Sequence, residues 1–176
     1  IERSLRFNSA DSAYLNRTPS AAGNRKTWTW SGWVKRSQLG LLQTLMQLFP
    51  SGTGYTRIYF ATGDNLQFQA TDASQGNSAD VKTTSVFRDP SAWYHIVVAM
   101  DTTQATAADR LKMYVNGVQE TSMATANYPT QNVDYMFNYV GAHQIGRHSA
   151  GNQYLNAYLA DVHFIDGQAL TPTDFG

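Results

Sequence analysis

The sequence predicts an all-β protein, an antiparallel two-sheet sandwich of the jelly-roll type. Two segments carry most of this prediction: residues 26–36 alternate between apolar and polar side chains, and residues 93–100 form a nearly continuous apolar run. The third observation is the Asn116-Gly117 pair between two alternating segments, which is a strong short-range signal of a β-hairpin. No segment has the period of a convincing amphipathic helix, so a βαβ architecture is not expected.

The tryptophan-rich segment 26–36 is expected to be the central strand. Extended backbone places Trp28, Trp30 and Val34 on one face and Trp33 on the other. Burying two neighbouring indoles removes a large apolar area from water, so the sheet that carries this strand should border the core. Trp33 is then the one tryptophan of the strand that the core does not need.

The remaining strands are predicted from period-two alternation between turn signals. Gly40 and Pro50 bracket a segment too short for a typical helix, so residues 41–49 are interpreted as a strand. Residues 72–79 are small and polar and predict a loop, while Thr171-Pro172 is expected to start a short helical turn. The other predicted strands are residues 4–7, 13–15, 55–60, 65–70, 111–115, 118–120, 139–145 and 154–165.

Length, charge and composition limit the classes of function. The 176 residues fit one domain, 1–176, and the start at Ile1 instead of Met is consistent with one module of a longer chain. The 13 basic and 13 acidic side chains balance, so no nucleic-acid partner is expected. The sequence has no cysteine, which removes thiolate catalysis and cysteine-ligated zinc. No apolar run is long enough to predict membrane insertion.

Three stretches, in this order, resemble the laminin-G-like branch of the concanavalin-A-like jelly rolls. They are Trp-Val-Lys within residues 27–35, Trp-Tyr-His-Ile-Val and Leu-Lys-Met-Tyr-Val-Asn-Gly within residues 93–117, and Ala-Asp-Val-His-Phe-Ile-Asp-Gly with its Leu-Thr-Pro tail within residues 154–176. Four shorter segments are similar to the jelly-roll modules of tailed-bacteriophage virion proteins, on tail fibres or capsid appendages. These segments are residues 4–8, 23–28, 87–95 and 166–172.

The resemblance implies a non-catalytic binding module on the exterior of a virion, in a homo-oligomer. Its expected function is adhesion to host-surface carbohydrate, and the alternative is a structural or capsid-decorating role in which aromatic surfaces contact neighbouring virion subunits. The fold alone does not decide between them. Glycan cleavage is a weaker alternative, because glucanases on this fold use two carboxylates on one strand and the only glutamates here are Glu2 and Glu120.

Two polar groups of the last predicted strand are candidates for chemistry. Strict alternation puts Leu159, Asp161 and His163 on one face, with Ala160 and Phe164 on the other. The Asp161–His163 pair is interpreted as a solvated or intersheet polar pair, since no further catalytic side chain converges on it.

Calcium is the cofactor that the resemblance suggests, because related domains often hold it with aspartates and backbone carbonyls in loops. Asp11 lies in a predicted loop after the first strand, and it could approach Asp161 where the first and last strands lie together. The sequence names no complete ligand set, and single aspartates in turns are common. His95 has apolar neighbours and is interpreted as a hydrogen-bonded histidine.

The predicted ligand-binding residues are Trp33, Arg147, His148, Asn152 and Tyr154. Lectin-like sites stack an aromatic ring on an apolar sugar face while amides and charged groups bind the hydroxyls. Trp33 supplies a ring that the core does not need, and the loop before the last strand supplies donors, acceptors and a second ring. The alternative is that Trp33 is covered by a loop or another chain, and that Tyr154 begins the core pattern of the last strand.

Overall fold

The chain folds into two sheets of antiparallel strands packed face to face. The computed structural model describes residues 1–50, 52–150 and 153–176. Its strands are β1 (Leu5–Phe7), β2 (Leu15–Arg17), β3 (Thr27–Arg36), β4 (Gln43–Leu48), β5 (Thr56–Phe60), β6 (Asn65–Thr71), β7 (Ser78–Val86), β8 (Tyr94–Asp101), β9 (Leu111–Val115), β10 (Val118–Gln119), β11 (Met123–Asn127), β12 (His143–Ile145), β13 (Arg147–His148), β14 (Gln153–Tyr154) and β15 (Ala157–Asp166). The helical segments of these ranges are the 3₁₀ turns Ser9–Asp11, Ala107–Asp109 and Pro172–Asp174, and none of them could cross a bilayer.

The two large sheets have a clear division of strands. The front sheet has the order β11-β7-β6-β5-β4-β12-β2, and the back sheet has the order β1-β15-β3-β8-β9-β10. Every neighbouring pair in them is antiparallel. The short β13–β14 hairpin forms a third, separate ladder. The prediction of an all-β antiparallel sandwich is confirmed.

The core lies between the sheets, around the tryptophans of β3. Trp28 and Trp30 are both fully buried. The ring centroid of Trp28 lies 5.1 Å from that of Phe137, 5.7 Å from that of Phe164 and 6.2 Å from that of Phe68. Phe137 comes from the segment between β11 and β12, so this segment contributes to the core as well as the strands of both sheets.

Two turns have the geometry that their residues predict. Asn116 and Gly117 have φ values of 51° and 81°, and the left-handed region at both positions is what a type I′ hairpin turn requires. At the C-terminal end, Thr171 is the N-cap residue of the turn Pro172–Asp174, and Asp174 Oδ2 accepts a hydrogen bond from its backbone N–H at 2.8 Å, as in a capping box. Both local predictions are confirmed.

The front sheet contains strands that the sequence did not predict. β7 begins at Ser78, so the predicted loop 72–79 is too long, and Ala79 is buried in the core. The buried positions of β7 are Ala79, Val81 and Thr83, and Met123 is the one large apolar residue of β11, so the apolar alternation is weak in both strands. The predicted strand 139–145 shortens to β12, because Asn138 adopts a positive φ of 65° and turns the chain.

The last strand, β15, contains a β-bulge that strict alternation does not predict. The pairing of β15 with β3 changes register in mid-strand, where Asp161 has a positive φ of 47°. Leu159 lies opposite Val34 and Phe164 lies opposite Trp30, so both point into the core. The prediction that Leu159 and Phe164 lie on opposite faces is wrong, because the extra residue of the bulge reverses the alternation.

Candidate functional site

Most of the predicted ligand-binding residues belong to one hairpin, β13–β14. Arg147 pairs with Tyr154, and His148 pairs with Gln153. Asn152 lies outside the described residues, so its place in the site stays a prediction. The structure therefore brings Arg147, His148 and Tyr154 into one short element.

Gly146 and Gln47 fix the hairpin on the outer surface of the front sheet. Gly146 has a φ of 82°, and a Cβ at this position would lie 2.6 Å from the ring of Phe7, so the chain requires glycine here. The side-chain amide of Gln47, in β4, donates to Ser149 Oγ at 2.6 Å and to Gln144 Oε1 at 3.1 Å. The hairpin is held by its backbone at one end and by a side chain of the sheet beneath it.

Arg57, in the middle of β5, is the charged centre of this surface. Its neighbour Ile58 points into the core, so Arg57 points outward. The guanidinium donates to Gln69 Oε1 through Nε and Nη2, and to His148 Nε2 through Nη1 at 2.9 Å. Its Cζ atom also lies 4.3 Å from the centroid of the Tyr59 ring. The side chains of the described residues that contact this half-buried cation, Gln69, His148 and Tyr59, are neutral.

His148 is neutral at pH 7 and its tautomer is defined. Since arginine can only donate, Nε2 of His148 accepts the bond from Arg57, and the ring proton is on Nδ1. Burial lowers the pKa of His148, the positive charge of Arg57 lowers it further, and a hydrogen bond with Gln153 acts in the opposite direction. A protonated imidazole would lose its acceptor for Arg57.

Asp80 is the carboxylate of this face, and neutral amides separate it from Arg57. Gln67 Nε2 donates to Asp80 Oδ1 at 2.6 Å, and Gln69 Nε2 donates to Asp80 Oδ2 at 2.8 Å. Gln69 thus accepts from Arg57 through its oxygen and donates to Asp80 through its nitrogen. These bonds orient the polar groups of the front sheet before any ligand arrives.

A pocket of about 270 Å³ opens beside Arg57. The rings of Phe49 and Tyr55 meet edge to face, with their centroids 5.8 Å apart, and Phe49 is 43% exposed. An aromatic wall beside an amide, a guanidinium and an imidazole is the combination that binds a sugar ring and its hydroxyls. The residues that line the pocket are Gln47, Leu48, Phe49, Tyr55, Thr56, Arg57, His148 and Ala150.

Arg147 lies against two tyrosines on the same hairpin surface. Its Cζ atom is 4.9 Å from the centroid of Tyr14 and 5.6 Å from that of Tyr154, and the two rings are 6.2 Å apart. Cation–π contacts of this kind stabilise the ring positions. Tyr154 therefore packs on Arg147 and Tyr14, and the core pattern of β15 begins later, at Ala157.

Trp33 lies on the opposite face of the sandwich. On β3 it points away from the buried Trp30, and its ring stacks on His95 with the centroids 4.8 Å apart. His95 is held in turn by a 2.9 Å hydrogen bond between its Nε2 and Ser31 Oγ, which agrees with its interpretation as a hydrogen-bonded histidine. Trp33 and the hairpin residues form two separate surfaces, so they do not belong to one site.

The aspartates considered for calcium do not approach each other. β1 and β15 pair antiparallel with Leu5 opposite Leu159. Asp11 follows Phe7 and therefore lies beyond the end of the paired segment where Phe7 meets Ala157. Asp161 follows Leu159 and lies beyond the opposite end. In the three described ranges, no group of three or more His, Asp or Glu side chains could hold a metal ion. These residues do not fit the calcium site that the resemblance suggested.

Glu2 and Glu120 lie at opposite edges of the back sheet. Glu2 precedes β1 and Glu120 follows β10, which are its two edge strands. Glu120 accepts a hydrogen bond from Ser85 Oγ at 2.6 Å. Five inter-strand spacings put these edge strands roughly 24 Å apart, whereas the carboxylates of a glycosidase pair lie within about 10 Å of each other. These glutamates cannot act as a catalytic pair.

A larger cavity, of about 630 Å³, opens between the two sheets. Trp30 and Phe164 are among its lining residues, and its polar lining residues are Asn16, Arg17, Ser20, Asn138, His143 and Asp166. Three of these bind one another: Asn138 Nδ2 donates to Asp166 Oδ1 at 2.9 Å, and the Asn138 backbone N–H donates to His143 Nε2 at 3.0 Å. Trp30 is fully buried, whereas Phe49 is exposed, so the pocket beside Arg57 is the better candidate for stacking a sugar ring.

Sequence reasoning missed Gln47, Tyr55 and Arg57. A charged side chain in the middle of a predicted strand was a visible signal, and the outward direction of Gln67 and Gln69 follows from the alternation of β6. The contact with His148 was not visible, because 91 positions separate His148 from Arg57.

The comparisons with known proteins agree on the fold. A family model described as the concanavalin A-like lectin/glucanases superfamily, of the laminin G type, matches residues 8–174. No curated protein matches the sequence.

Three similar solved structures illustrate the range of proteins with this fold. Domains LG4-5 of the mouse laminin alpha1 chain superpose with a TM-score of 0.65 at 12% identity, over 96% of this chain and 43% of that one. The heptameric SAP-like pentraxin of Limulus polyphemus gives 0.60 at 14%, over 92% and 73%. The CBM40 of Ruminococcus gnavus IT-sialidase, bound to α2,3 sialyllactose, gives 0.55 at 9%, over 96% and 97%. At these identities the likeness shows the fold alone.

Proposed function

The chain belongs to the concanavalin A-like lectin/glucanases superfamily, and on that premise we propose that it is a carbohydrate-binding module without catalytic activity. The proposed site is the pocket beside Arg57 on the outer surface of the front sheet. One observation carries this proposal: the Phe49–Tyr55 ring pair, of which Phe49 is exposed and Tyr55 half-buried, borders the same pocket as Gln47, Arg57 and His148. The sugar-bound CBM40 of similar fold supports a binding role.

The pocket residues divide into stacking and hydrogen-bonding groups. Tyr55 and Phe49 offer apolar ring surface to one face of a sugar, and Gln47, Arg57 and His148 offer polar atoms to its hydroxyls. The bonds of Arg57 to Gln69 and His148 fix the guanidinium before binding. Such preorganisation reduces the entropy that is lost when a ligand is held.

The predicted ligand residues outside this pocket remain part of the proposal. Arg147, Asn152 and Tyr154 would extend the site along the hairpin. Trp33 offers one ring face on the back sheet, because His95 stacks on the other. If both surfaces bind sugar, the module has two sites on opposite faces.

The biological setting that we propose is the exterior of a phage virion, where the module adheres to host-surface carbohydrate. The support for it is the similarity of residues 4–8, 23–28, 87–95 and 166–172 to tailed-bacteriophage virion modules. A homo-oligomer in the particle would present many copies, and avidity would then hold a surface even when one copy binds weakly.

The second candidate function is a structural or decorating role in the same particle. Exposed apolar side chains at one side of the sandwich favour it: Leu5 on edge strand β1 is 57% exposed, and Leu15 on edge strand β2 is 47% exposed. A neighbouring virion subunit that covers both edge strands would remove these side chains from water.

The test is a glycan-array screen of the domain displayed multivalently, with the unaltered protein, Tyr55→Ala and Trp33→Ala side by side. Binding that Tyr55→Ala abolishes and Trp33→Ala retains would support the front-sheet site. The reverse result would move the site to Trp33. If no glycan binds any of the folded proteins, with or without calcium, the carbohydrate proposal fails and the structural role becomes the leading one.

A further inference from the structure

The charge of the front-sheet pocket indicates which sugars it takes. We propose that its ligand carries a carboxylate, so that the module binds acidic sugars in preference to neutral ones. This inference rests on the proposed function, because it names the class of ligand for the same site. It starts from Arg57, which makes no ion pair with any described residue. The three residues outside the description, Ser51, Gly151 and Asn152, have no charged side chain.

The half-buried guanidinium of Arg57 has no counter-ion among the described residues. Arg25 and Arg110 are half-buried without an ion pair as well, but backbone carbonyls accept their hydrogen bonds. Arg57 differs from them because it lines an open pocket.

Charged groups taken out of water are normally paired, since an uncompensated charge costs free energy. Arg36, which is fully buried, follows this rule, because it is paired with Asp64 at 2.9 Å. Among the described residues, Arg57 donates to the neutral Gln69 and His148, and the neutral Tyr59 hydroxyl also contacts it. An anionic ligand would supply the missing charge.

The donors of Arg57 are not exhausted by its bonds within the protein. Its bonds to the described residues Gln69 and His148 use three of the five N–H groups. The other two belong to the terminal nitrogens, with the Tyr59 hydroxyl as their neighbour. A carboxylate accepts two such donors in one plane, and arginine is the side chain best suited to this contact. Asp80 makes no ion pair with Arg57, because the Gln69 amide lies between them and bonds to both side chains.

The size of the pocket favours one sugar unit. Its volume of about 270 Å³ is just below the range of sites for drug-sized ligands, about 300–1,000 Å³. The Phe49–Tyr55 rings form one wall, and Arg57 and His148 are the basic groups in its lining. A terminal sugar acid, with its ring against the aromatic wall and its carboxylate on Arg57, satisfies both features.

The experiment compares each acidic glycan with its own methyl ester on the unaltered protein, by surface plasmon resonance with immobilised domain. The probes are lactose capped by N-acetylneuraminic acid, lactose capped by glucuronic acid, their two methyl esters, sulfated lactose and lactose itself. The acids should bind about 10- to 100-fold more tightly than their esters, because a hydrogen-bonded charge contributes that much affinity. Comparing the two acids shows whether the pocket prefers the carboxylate of N-acetylneuraminic acid or that of glucuronic acid.

Two variants locate the effect. Arg57→Gln should lower the affinity for the acid to that of the ester and leave the ester nearly unchanged. Lys35→Gln, which removes a cation from the back-sheet strand β3, should change neither. If Arg57→Gln does not fold, the affinities of each acid and its methyl ester for the unaltered protein still show whether the ligand carries a carboxylate.

The outcomes separate this inference from the proposed function. Equal binding of acid and ester, or binding of sulfated or neutral lactose alone, overturns the carboxylate proposal. Glycan binding at the front-sheet pocket still stands in that case if Tyr55→Ala abolishes it. If no probe binds at all, and the glycan array is also negative, both proposals fail together.

Discussion

At the scale of single residues, Arg36 and Asp64 form a buried ion pair that links β3 of the back sheet to the turn between β5 and β6 of the front sheet. Their side chains are 1% and 6% exposed. The Gly40 N–H also donates to this carboxylate at 2.8 Å, and Arg88 binds its other oxygen at 3.0 Å. Burial acts to raise the pKa of Asp64, but the hydrogen bonds from Gly40, Arg88 and Arg36 outweigh it and hold this pKa below its ordinary value.

Replacing Asp64 by Asn should destabilise the protein by about 3–5 kcal/mol at pH 7, because Arg36 would stay buried without a counter-charge. Urea denaturation measures the difference. Since the folded-state pKa of Asp64 is lowered, the stability from its ionised form is present above the unfolded-state pKa and is lost as the pH falls through the folded-state pKa. The variant and the unaltered protein should therefore converge in acid.

The matched control is Asp109→Asn, whose partner Lys112 lies 3.1 Å away at the surface. An exposed pair of this kind contributes less than about 1 kcal/mol. A loss in Asp64→Asn no greater than in Asp109→Asn would show that the buried pair has no structural role.

His143 should make stability depend on pH near neutrality. Its Nδ1–H donates to Gly141 O at 3.0 Å, and its Nε2 accepts from the Asn138 N–H at 3.0 Å, so the neutral ring is the bonded form. Burial lowers the pKa of His143, and the charge of Arg17 lowers it further, against the bond to Gly141. The neutral ring therefore contributes its full stabilisation above the unfolded-state pKa of histidine, about 6.5. This stabilisation is lost as the pH falls from there towards the lowered folded-state pKa.

His143→Gln keeps one donor and one acceptor but removes the titration. The free energy of unfolding, measured by urea denaturation between pH 5.5 and 7.5, should depend less steeply on pH in this variant. The slope should decrease by at most the equivalent of one proton taken up on unfolding. Burial also lowers the pKa values of His95 and His148, so some pH dependence should remain. An unchanged slope would mean that His143 titrates alike in both states.

At the scale of elements, the β13–β14 hairpin depends on the glycine before it. Gly146 and Gly117 have nearly the same positive φ, 82° and 81°, but only Gly146 has a neighbour, Phe7, where a Cβ would lie. Alanine at either position costs about 1–2 kcal/mol for the left-handed backbone. At Gly146 the collision with Phe7 should add about 1–3 kcal/mol.

Urea denaturation of Gly146→Ala and Gly117→Ala measures this difference. Because the hairpin carries His148, glycan binding should also weaken in Gly146→Ala and stay unchanged in Gly117→Ala. Equal stability losses would show that the Phe7 ring yields without cost, and that the hairpin is not fixed in the way described.

Sequence patterns predicted the strands whose inward side chains are large. β3 and β8 have tryptophan, isoleucine and valine in their core positions, so their alternation or apolar run was visible. β7 and β11 were missed, because small or polar side chains carry little signal. The bulge at Asp161 was missed because a prediction from strict side-chain alternation assumes a strand without an extra residue.

At the scale of the whole molecule, the two outer faces of the sandwich differ. On the back sheet, the C-terminal tail folds over the outer face: Thr29 Oγ1 donates to Gln168 O at 2.7 Å, and the Phe175 ring lies 5.8 Å from that of His163. On the front sheet, polar side chains surround an open pocket and Arg57 has no counter-ion among the described residues. This contrast is why the account places the ligand on the front sheet.

The same contrast explains how much of the site the sequence could predict. The loop with Arg147, His148 and Tyr154 was recognised because its residue types suit sugar binding. Arg57, Gln47 and Tyr55 are distant in sequence from that loop, and only the pairing of β4, β5 and β12 brings them beneath it. Alternation alone placed Trp33 on the outer face of its strand. It did not reveal that this strand lies in the back sheet, whereas the hairpin lies on the front sheet.

The most direct test of the front-sheet site is an NMR titration of ¹⁵N-labelled protein with a glycan that binds on the array. We expect the backbone and side-chain signals of residues 47–57, 69 and 148 to shift with increasing ligand, while the indole N–H signal of Trp33 stays in place. Shifts that centre on Trp33 and His95, with Gln69 and His148 unmoved, would contradict it and place the ligand on the back sheet.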